Sequence, residues 1–256
     1  MRLKERLALA ASGETSPLQF ERLALDKNAK VREGVAGNPK APPEILAALA
    51  RDRNADVRWG VAWNAATPPD VLAVLAKDES MMVRQRLARR PNTPPRILAA
   101  LAKDESAVVR RGVAGNSNMP RQVLVALAGD ENAEVRQFLA RNHKTPRQVL
   151  AALVRDRNAD VRRGLAKNSN TPPKILAILA KGRNAEVRLS VAGNSNTPPE
   201  ILAALAEDRN AVVRSTVAVN STTLRKFWRR WRRMRTWVDT WIWRVTQICR
   251  QMFLRR

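Results

Sequence analysis

The stretch Asn196–Asn220, NTPPEILAALAEDRNAVVRSTVAVN, decides how the rest of the chain is read. It opens on Thr197-Pro198-Pro199-Glu200. Threonine can cap a helix, proline suits the first helical position, and a glutamate three residues after the cap completes a capping box. Ile201, Leu202 and Leu205 then form an apolar stripe at helical spacing. The alanines between them favour helix and let neighbours approach closely. The helix is predicted to stop near Glu207–Asn210. A second, shorter helical piece carries Val213, Val217 and Ala218, and Asn220 suits the turn that follows. Two such short helices cannot bury their stripes alone, but stacked copies can.

The chain supplies the copies. Val-Arg pairs occur at Val31-Arg32, Val57-Arg58, Val83-Arg84, Val109-Arg110, Val135-Arg136, Val161-Arg162, Val187-Arg188 and Val213-Arg214, every interval being 26 residues. Proline keeps the same step from Pro42 to Pro198, and leucine from Leu46 to Leu202. A worn copy precedes them, with Arg6, Pro17, Phe20, Leu23 and Asp26 in register, and reads as a capping repeat over residues 1–30. Residues 31–223 are the expected repeat array, and 224–256 a separate tail. The expected fold is all-α, a superhelical solenoid of 26-residue two-helix repeats.

The pattern N-x-x-T-P-P-x-[IV]-L-x-x-L-A-x-D-x-x-x-x-V-R-x-x-V-A-x-N resembles the leucine-rich repeat variant family of bacteria, over roughly 1–223. The resemblance implies a right-handed superhelix, HEAT-like in plan, of alternating α- and 3₁₀-helices. Some members of that family carry an iron–sulfur cluster in a cysteine-rich N-terminal segment. The only cysteine here is Cys249, in the tail, so the cluster is not carried over and neither cofactor nor metal is expected.

Two polar columns accompany the arginines. Asp recurs five residues before each valine, at Asp26, Asp52, Asp78, Asp104, Asp130, Asp156 and Asp208, with Gly182 as the exception. Asn recurs seven residues after it, at Asn38, Asn64, Asn116, Asn142, Asn168, Asn194 and Asn220, with Arg90 as the exception. An arginine column at repeat spacing would also serve as a phosphate ladder. Because Asp and Arg occur together in nearly every unit, a structural ladder tying each turn to the next is the stronger reading: buried polar groups must be paired.

The variable positions two and six after each valine lie four apart on one face of the second helix. In the middle repeats they are basic, with Arg89, Arg111, Arg141, Arg163 and Lys167, and with Arg86 and Arg90 beside them. One repeat earlier they are Trp59 and Trp63. A basic strip bounded by an aromatic pair is what a concave anion-binding face looks like; an ordinary solvated face of a basic protein reads the same way. The tryptophans suit stacking on a base, gripping a peptide, or half-buried packing.

The formal charge is +24 over 256 residues. Residues 1–223 hold 36 basic and 22 acidic residues, leaving +14, while the tail holds 11 basic residues and Asp239, leaving +10. Such a surface favours anionic partners. The apolar run near the N-terminus, about five residues, is shorter than a signal sequence needs. No run approaches the roughly 18 apolar residues of a membrane span. A cytoplasmic protein is expected. Enzyme chemistry has little support: His143 is the only histidine, in a turn, and there is no glycine-rich phosphate loop, metal-ligand spacing or nucleophile with an obvious base. The expected function is a non-enzymatic scaffold that binds a protein, or an anionic partner such as nucleic acid, through its basic face. The alternatives are a nucleic-acid-binding or glycosylase-like DNA-repair protein, and attachment to a membrane surface through the tail.

That tail places five tryptophans among arginines, from Trp228 to Trp243. Apolar residues step by three or four, which makes a basic amphipathic helix of the kind that sits on membranes or nucleic acid. It also makes a frameshifted repeat. Read one base out, Leu224–Trp228 permits P-E-[IV]-L directly after the threonine, because any codon before a tryptophan becomes Leu, Met or Val. Further matches in register fall at Trp243–Gln247 and Met252–Phe253. The Val-Arg pair is not reproduced, since Trp237-Val238 forces Gly. The frameshift is the favoured reading, with a base lost near Ser221–Thr223. It implies missing repeats and self-association through the uncovered end.

Overall fold

In a computed structural model of the protein, residues 1–222 are described, and the tail and the readings attached to it lie outside them. All seventeen helices among the described residues are α-helices, and no strand occurs. They form two compact units divided between Val123 and Leu124. Each is a stack of two-helix repeats in which a helix bearing the leucines alternates with one bearing the Val-Arg pair, termed here leucine and valine helices.

The valine helix is the longer of the two, nine residues in Ala55–Trp63 against seven in Pro69–Leu75. The sequence suggested the reverse. The proline pair delays one end of the leucine helix, and the turn at the ladder aspartate cuts the other short. The 3₁₀ geometry implied by the resemblance is confined to single i→i+3 bonds at helix ends, such as Ile97 N to Pro94 O and Asp104 N to Leu101 O.

The threonine before the prolines is not the helix cap. Pro198 holds that position, and the buried Thr197 hydroxyl instead donates back to the Val191 carbonyl at 2.6 Å. Thr67 and Thr93 do the same to Val61 and Leu87. The hydroxyl is thus a second donor to a carbonyl in the last turn of the preceding valine helix, which also accepts the N–H three residues on, as Val191 does from Asn194. The caps that do form belong to the valine helices, where Asn54 Oδ1 accepts from the N–H groups of Asp56 and Val57.

Apolar burial follows the columns. Val31, Val57, Val83 and Val109 in the first unit and Val135 and Val161 in the second are fully buried, as are the residues four positions on. Within each unit every valine helix packs on its neighbours of the same kind. The approach is close: a Cβ built on Gly60 would lie 3.0 Å from the Ala36 Cβ, and one on Gly112 3.0 Å from that of Ala88.

The polar columns are structural, as their co-occurrence suggested. Arg32 forks onto Asp52 of the next repeat, with Nε to Oδ2 at 2.5 Å and Nη2 to Oδ1 at 2.9 Å. Its Nη1 donates to the Asp26 carbonyl of its own repeat. Asp52 Oδ1 also accepts the Asn54 N–H. The same fork joins Arg58 to Asp78, Arg84 to Asp104, Arg136 to Asp156 and Arg188 to Asp208. Both partners are buried, so these arginines are not available as a phosphate ladder. Burial pushes the Asp52 carboxyl up, but the Arg32 guanidinium and the Asn54 N–H more than reverse this and hold it below the ordinary carboxylate range. The asparagines tie the other edge, as when Asn64 Nδ2 donates to the carbonyls of Ala36 and Asn38 one repeat back. In Asn64 the remaining Oδ1 accepts the Ala66 N–H, so the whole side chain is paired.

Candidate partner-binding site

The sequence grouped Trp59, Trp63, Arg86, Arg89, Arg90 and Arg111 in the first unit; the structure separates them by role. Trp59 and Trp63 stand one turn apart on the valine helix Ala55–Trp63. Arg86, from the next valine helix Met81–Arg89, lies between them, its guanidinium carbon 3.7 Å from one indole centroid and 3.8 Å from the other. Arg86 occupies the column that Gly34, Gly60 and Gly112 hold in other repeats. A side chain there cannot point straight at the preceding helix, and it runs sideways between the indoles instead.

This geometry changes what the tryptophans can do. Their facing surfaces are filled by Arg86, so a base cannot stack there without displacing a cation–π contact on each side. What remains open is the guanidinium edge. Its Nε is itself buried without an acceptor among the described residues, so an incoming anion meets the terminal nitrogens, for which no partner is found there either. Burial, helped by the nearby Arg89, pulls the Arg86 guanidinium below its ordinary value, although an arginine so shifted is still a cation at neutral pH. A planar cation with both faces stacked and its edge unpaired is preorganised for a carboxylate or phosphate, because little rotamer entropy is left to lose. Trp63 remains 43% exposed and Arg89 is exposed beside it.

Arg90 is a correction. It is 6% exposed and does not belong to the basic strip. It fills the place of the missing asparagine, its Nη2 donating to the carbonyls of Asn64 and Ala65 at 3.0 and 3.3 Å. Arg111 is half-buried. In the second unit Arg141 and Lys167 are exposed, while Arg163 is drawn into an ion pair with Asp160 at 2.6 Å.

The Arg86 sandwich was not legible from the basic strip, although an arginine in a glycine column was a usable signal. Among the described residues, no group of three or more His, Cys, Asp or Glu side chains is placed to hold a metal ion. No described helix is long and apolar enough to cross a membrane.

The family described as leucine rich repeat variant matches residues 29–54 and 185–210. Those two segments are single repeats of the array, and the other repeats carry the same columns. A solved structure described as a leucine-rich repeat variant with a novel repetitive protein structural motif is similar, at 22% identity over 88% of each chain and a TM-score of 0.60. At that identity it shows the fold alone. The YibA protein of E. coli is similar at 16% identity over 96% of this chain and 95% of that one, with a TM-score of 0.41. A designed armadillo repeat protein for modular peptide recognition is similar at 13% over 97% and 99%, with a TM-score of 0.22. No curated protein matches the chain. The hydrogen bonds of the ladder account for the Val-Arg, Asp and Asn columns as scaffold, whereas Trp59, Trp63 and Arg86 lie outside those columns.

Proposed function

We propose that the protein is a non-enzymatic repeat scaffold that binds an acidic protein segment through the exposed face of its valine helices. The observation that carries this reading is Arg86 held between Trp59 and Trp63 with an unpaired edge. The chemistry favours a carboxylate-bearing chain over single-stranded nucleic acid, because the facing indole surfaces are filled by Arg86 and only the exposed part of Trp63 is left for stacking. Arg89 adds charge beside the sandwich, and Trp63 adds exposed apolar area of the kind enriched at binding hot spots.

The test is a competition. Full-length protein is mixed with labelled poly-glutamate, and unlabelled poly-glutamate or single-stranded oligonucleotide is added at equal charge concentration. Acidic polypeptide should compete better, and Arg86→Gln should weaken its binding about tenfold, a loss of about 1.4 kcal/mol. Preferential displacement by the oligonucleotide, with Arg86→Gln without effect, would replace this reading with a nucleic-acid one. Because any ionic complex weakens with salt, the comparison is made at fixed ionic strength.

A further inference from the structure

One rung of the ladder is incomplete. In the second unit, Arg136 forks onto Asp156 at 2.6 and 3.1 Å, and Arg188 onto Asp208 at 2.5 and 3.0 Å. Arg162 stands between them in sequence, and the residue 20 positions on is Gly182 instead of aspartate. Arg162 keeps the other half of the pattern. Its Nη1 donates to the Asp156 carbonyl, and to that of Arg157 at 3.1 Å. Its Nε and Nη2, which in the other rungs take the two carboxylate oxygens, have no acceptor among the described residues. A third donor is free as well. In the other rungs the aspartate accepts the N–H two residues on, as Asp156 does from Asn158 and Asp208 from Asn210, each at 2.8 Å. Here the corresponding N–H belongs to Asn184, which has no carboxylate to meet.

The missing side chain leaves space. A cavity of about 160 Å³ opens beside these donors, lined by Arg162, Gly182 and Asn184 on its polar side and by Val154, Leu179 and Val187 on its apolar side. The flanking residues Lys181 and Arg183 are exposed cations. Three donors converge with the disposition that holds an aspartate carboxylate in the neighbouring rungs, above an apolar wall and under a positive rim. A bidentate guanidinium–carboxylate pair is the strong form of such a contact.

We infer that the Arg162–Gly182 rung is a binding site for a carboxylate on a short alkyl stem, supplied from outside the rung in the place of the ladder aspartate. The carboxylate spans Nε and Nη2 of Arg162, one oxygen also accepts the Asn184 N–H, and the stem lies on Val154 and Leu179. Acetate and propionate carry the minimal group; a glutamate side chain of a polypeptide carries the same group on a longer body. This site is separate from the Arg86 sandwich, and either holds if the other fails.

The experiment uses the full-length protein at neutral pH and constant ionic strength. Sodium chloride is replaced stepwise by sodium acetate or propionate, or by an N-acetylated, C-amidated peptide whose sole carboxylate is a glutamate side chain. The Arg162 Nε–Hε resonance is followed by NMR, together with the unfolding temperature. A saturable shift of that resonance and a rise in Tm are expected, since a ligand bound only to the folded state stabilises it. Gly182→Asp supplies the carboxylate in cis and should weaken acetate binding at least about tenfold; Gly182→Ala, without a carboxylate, should keep the response to acetate. Tighter binding of the peptide than of propionate assigns the site to a polypeptide partner, and equal binding assigns it to a free acid. An Arg162 resonance unmoved by all the probes overturns the inference, as does a full acetate response persisting in Gly182→Asp. The cis carboxylate must fit with a Cβ 3.1 Å from the Leu179 carbonyl; if that variant does not fold, the resonance titration of the unaltered protein decides.

Discussion

Arg90 Nη2 donates to the Asn64 carbonyl at 3.0 Å, the acceptor that an asparagine amide reaches in the neighbouring rungs. The substitute is poor. Asn116 pairs both its amide hydrogens, with the carbonyls of Ala88 and Arg90. Arg90 leaves Nη1 buried without a partner, and burial pulls its guanidinium below its ordinary value. Arg90→Asn should restore the rung, with donors to the Ala62 and Asn64 carbonyls and an acceptor for the Asn92 N–H. Removing one unsatisfied buried donor is expected to stabilise the protein by about 1–3 kcal/mol. That raises Tm by roughly 2–4 °C per kcal/mol in a chain of this size. Calorimetry of the pair is the check, and an unchanged or lower Tm refutes it.

How far this was visible in advance can be argued from the same rung. The 26-residue step, the core columns and the Arg–Asp pairing were legible because they repeat, and repetition averages out local accidents. Arg90 is visible as the break in the Asn column, but by sequence it reads as a surface cation, because sequence does not say which way a long side chain turns. The threonine role was missed for a related reason. Thr-Pro-Pro reads as a capping box by local rules, and only packing against the preceding valine helix reveals that the hydroxyl answers Val191 instead of its own helix. The Arg86 sandwich depends on residues 27 and 23 positions apart, which only the stacking of two repeats brings together.

The ladder sets an acid limit on stability. The Asp52, Asp156 and Asp208 carboxyls all lie below the ordinary range. For Asp208 the Arg188 hydrogen bond is the main cause; for the other two, burial works upward, and the guanidinium together with the backbone N–H two residues on more than reverses it. A group whose folded value is depressed contributes stability above its unfolded value and loses it as pH falls through the folded one. Unfolding free energy should therefore be nearly flat from about pH 5 upward and fall steeply below about pH 4, with net proton uptake on unfolding. Asp52→Asn should lower stability at neutral pH and flatten the acid slope. Denaturant titrations between pH 2.5 and 7 measure both, and a slope unchanged by the substitution refutes the assignment.

Two glycines with opposite surroundings test the close approach of the valine helices. A Cβ on Gly164 would lie 2.9 Å from the Gln137 carbonyl oxygen and 3.1 Å from the Ala140 Cβ, both on the preceding valine helix. One on Gly37 meets nothing within 4 Å. Gly164→Ala should force the helices apart and cost about 1–3 kcal/mol. Gly37→Ala should stabilise by about 0.4–1 kcal/mol, through the lower entropy of the unfolded chain. Urea denaturation of the two variants should move the midpoint in opposite directions. Movement in the same direction means that the spacing is set by something other than this contact.

The repeat remains physically in register up to the last described residue. Asn220 Nδ2 donates to the carbonyls of Ala192 and Asn194, as the column requires. Thr222 Oγ1 donates to the Ser195 carbonyl at 2.7 Å, taking the place that Asn170 and Asn196 fill toward His143 and Ser169. The next residue, Thr223, falls on the threonine column, and from Leu224 onward the pattern stops. An intact register followed by an abrupt break is what a single lost base produces, whereas a gradual decay of the columns is what a diverged repeat produces. Independent genomic DNA read across the codons for Ala218 to Arg230 is expected to contain one further base, restoring proline, glutamate, isoleucine or valine, and leucine after Thr223. The tail's +10 charge then leaves the binding argument, and the protein to study is the one read in the restored frame. An unchanged reading frame sinks the frameshift, and the arginine–tryptophan segment then becomes the candidate for contact with nucleic acid or a membrane surface, to be tested by deleting residues 224–256 and measuring the loss of binding.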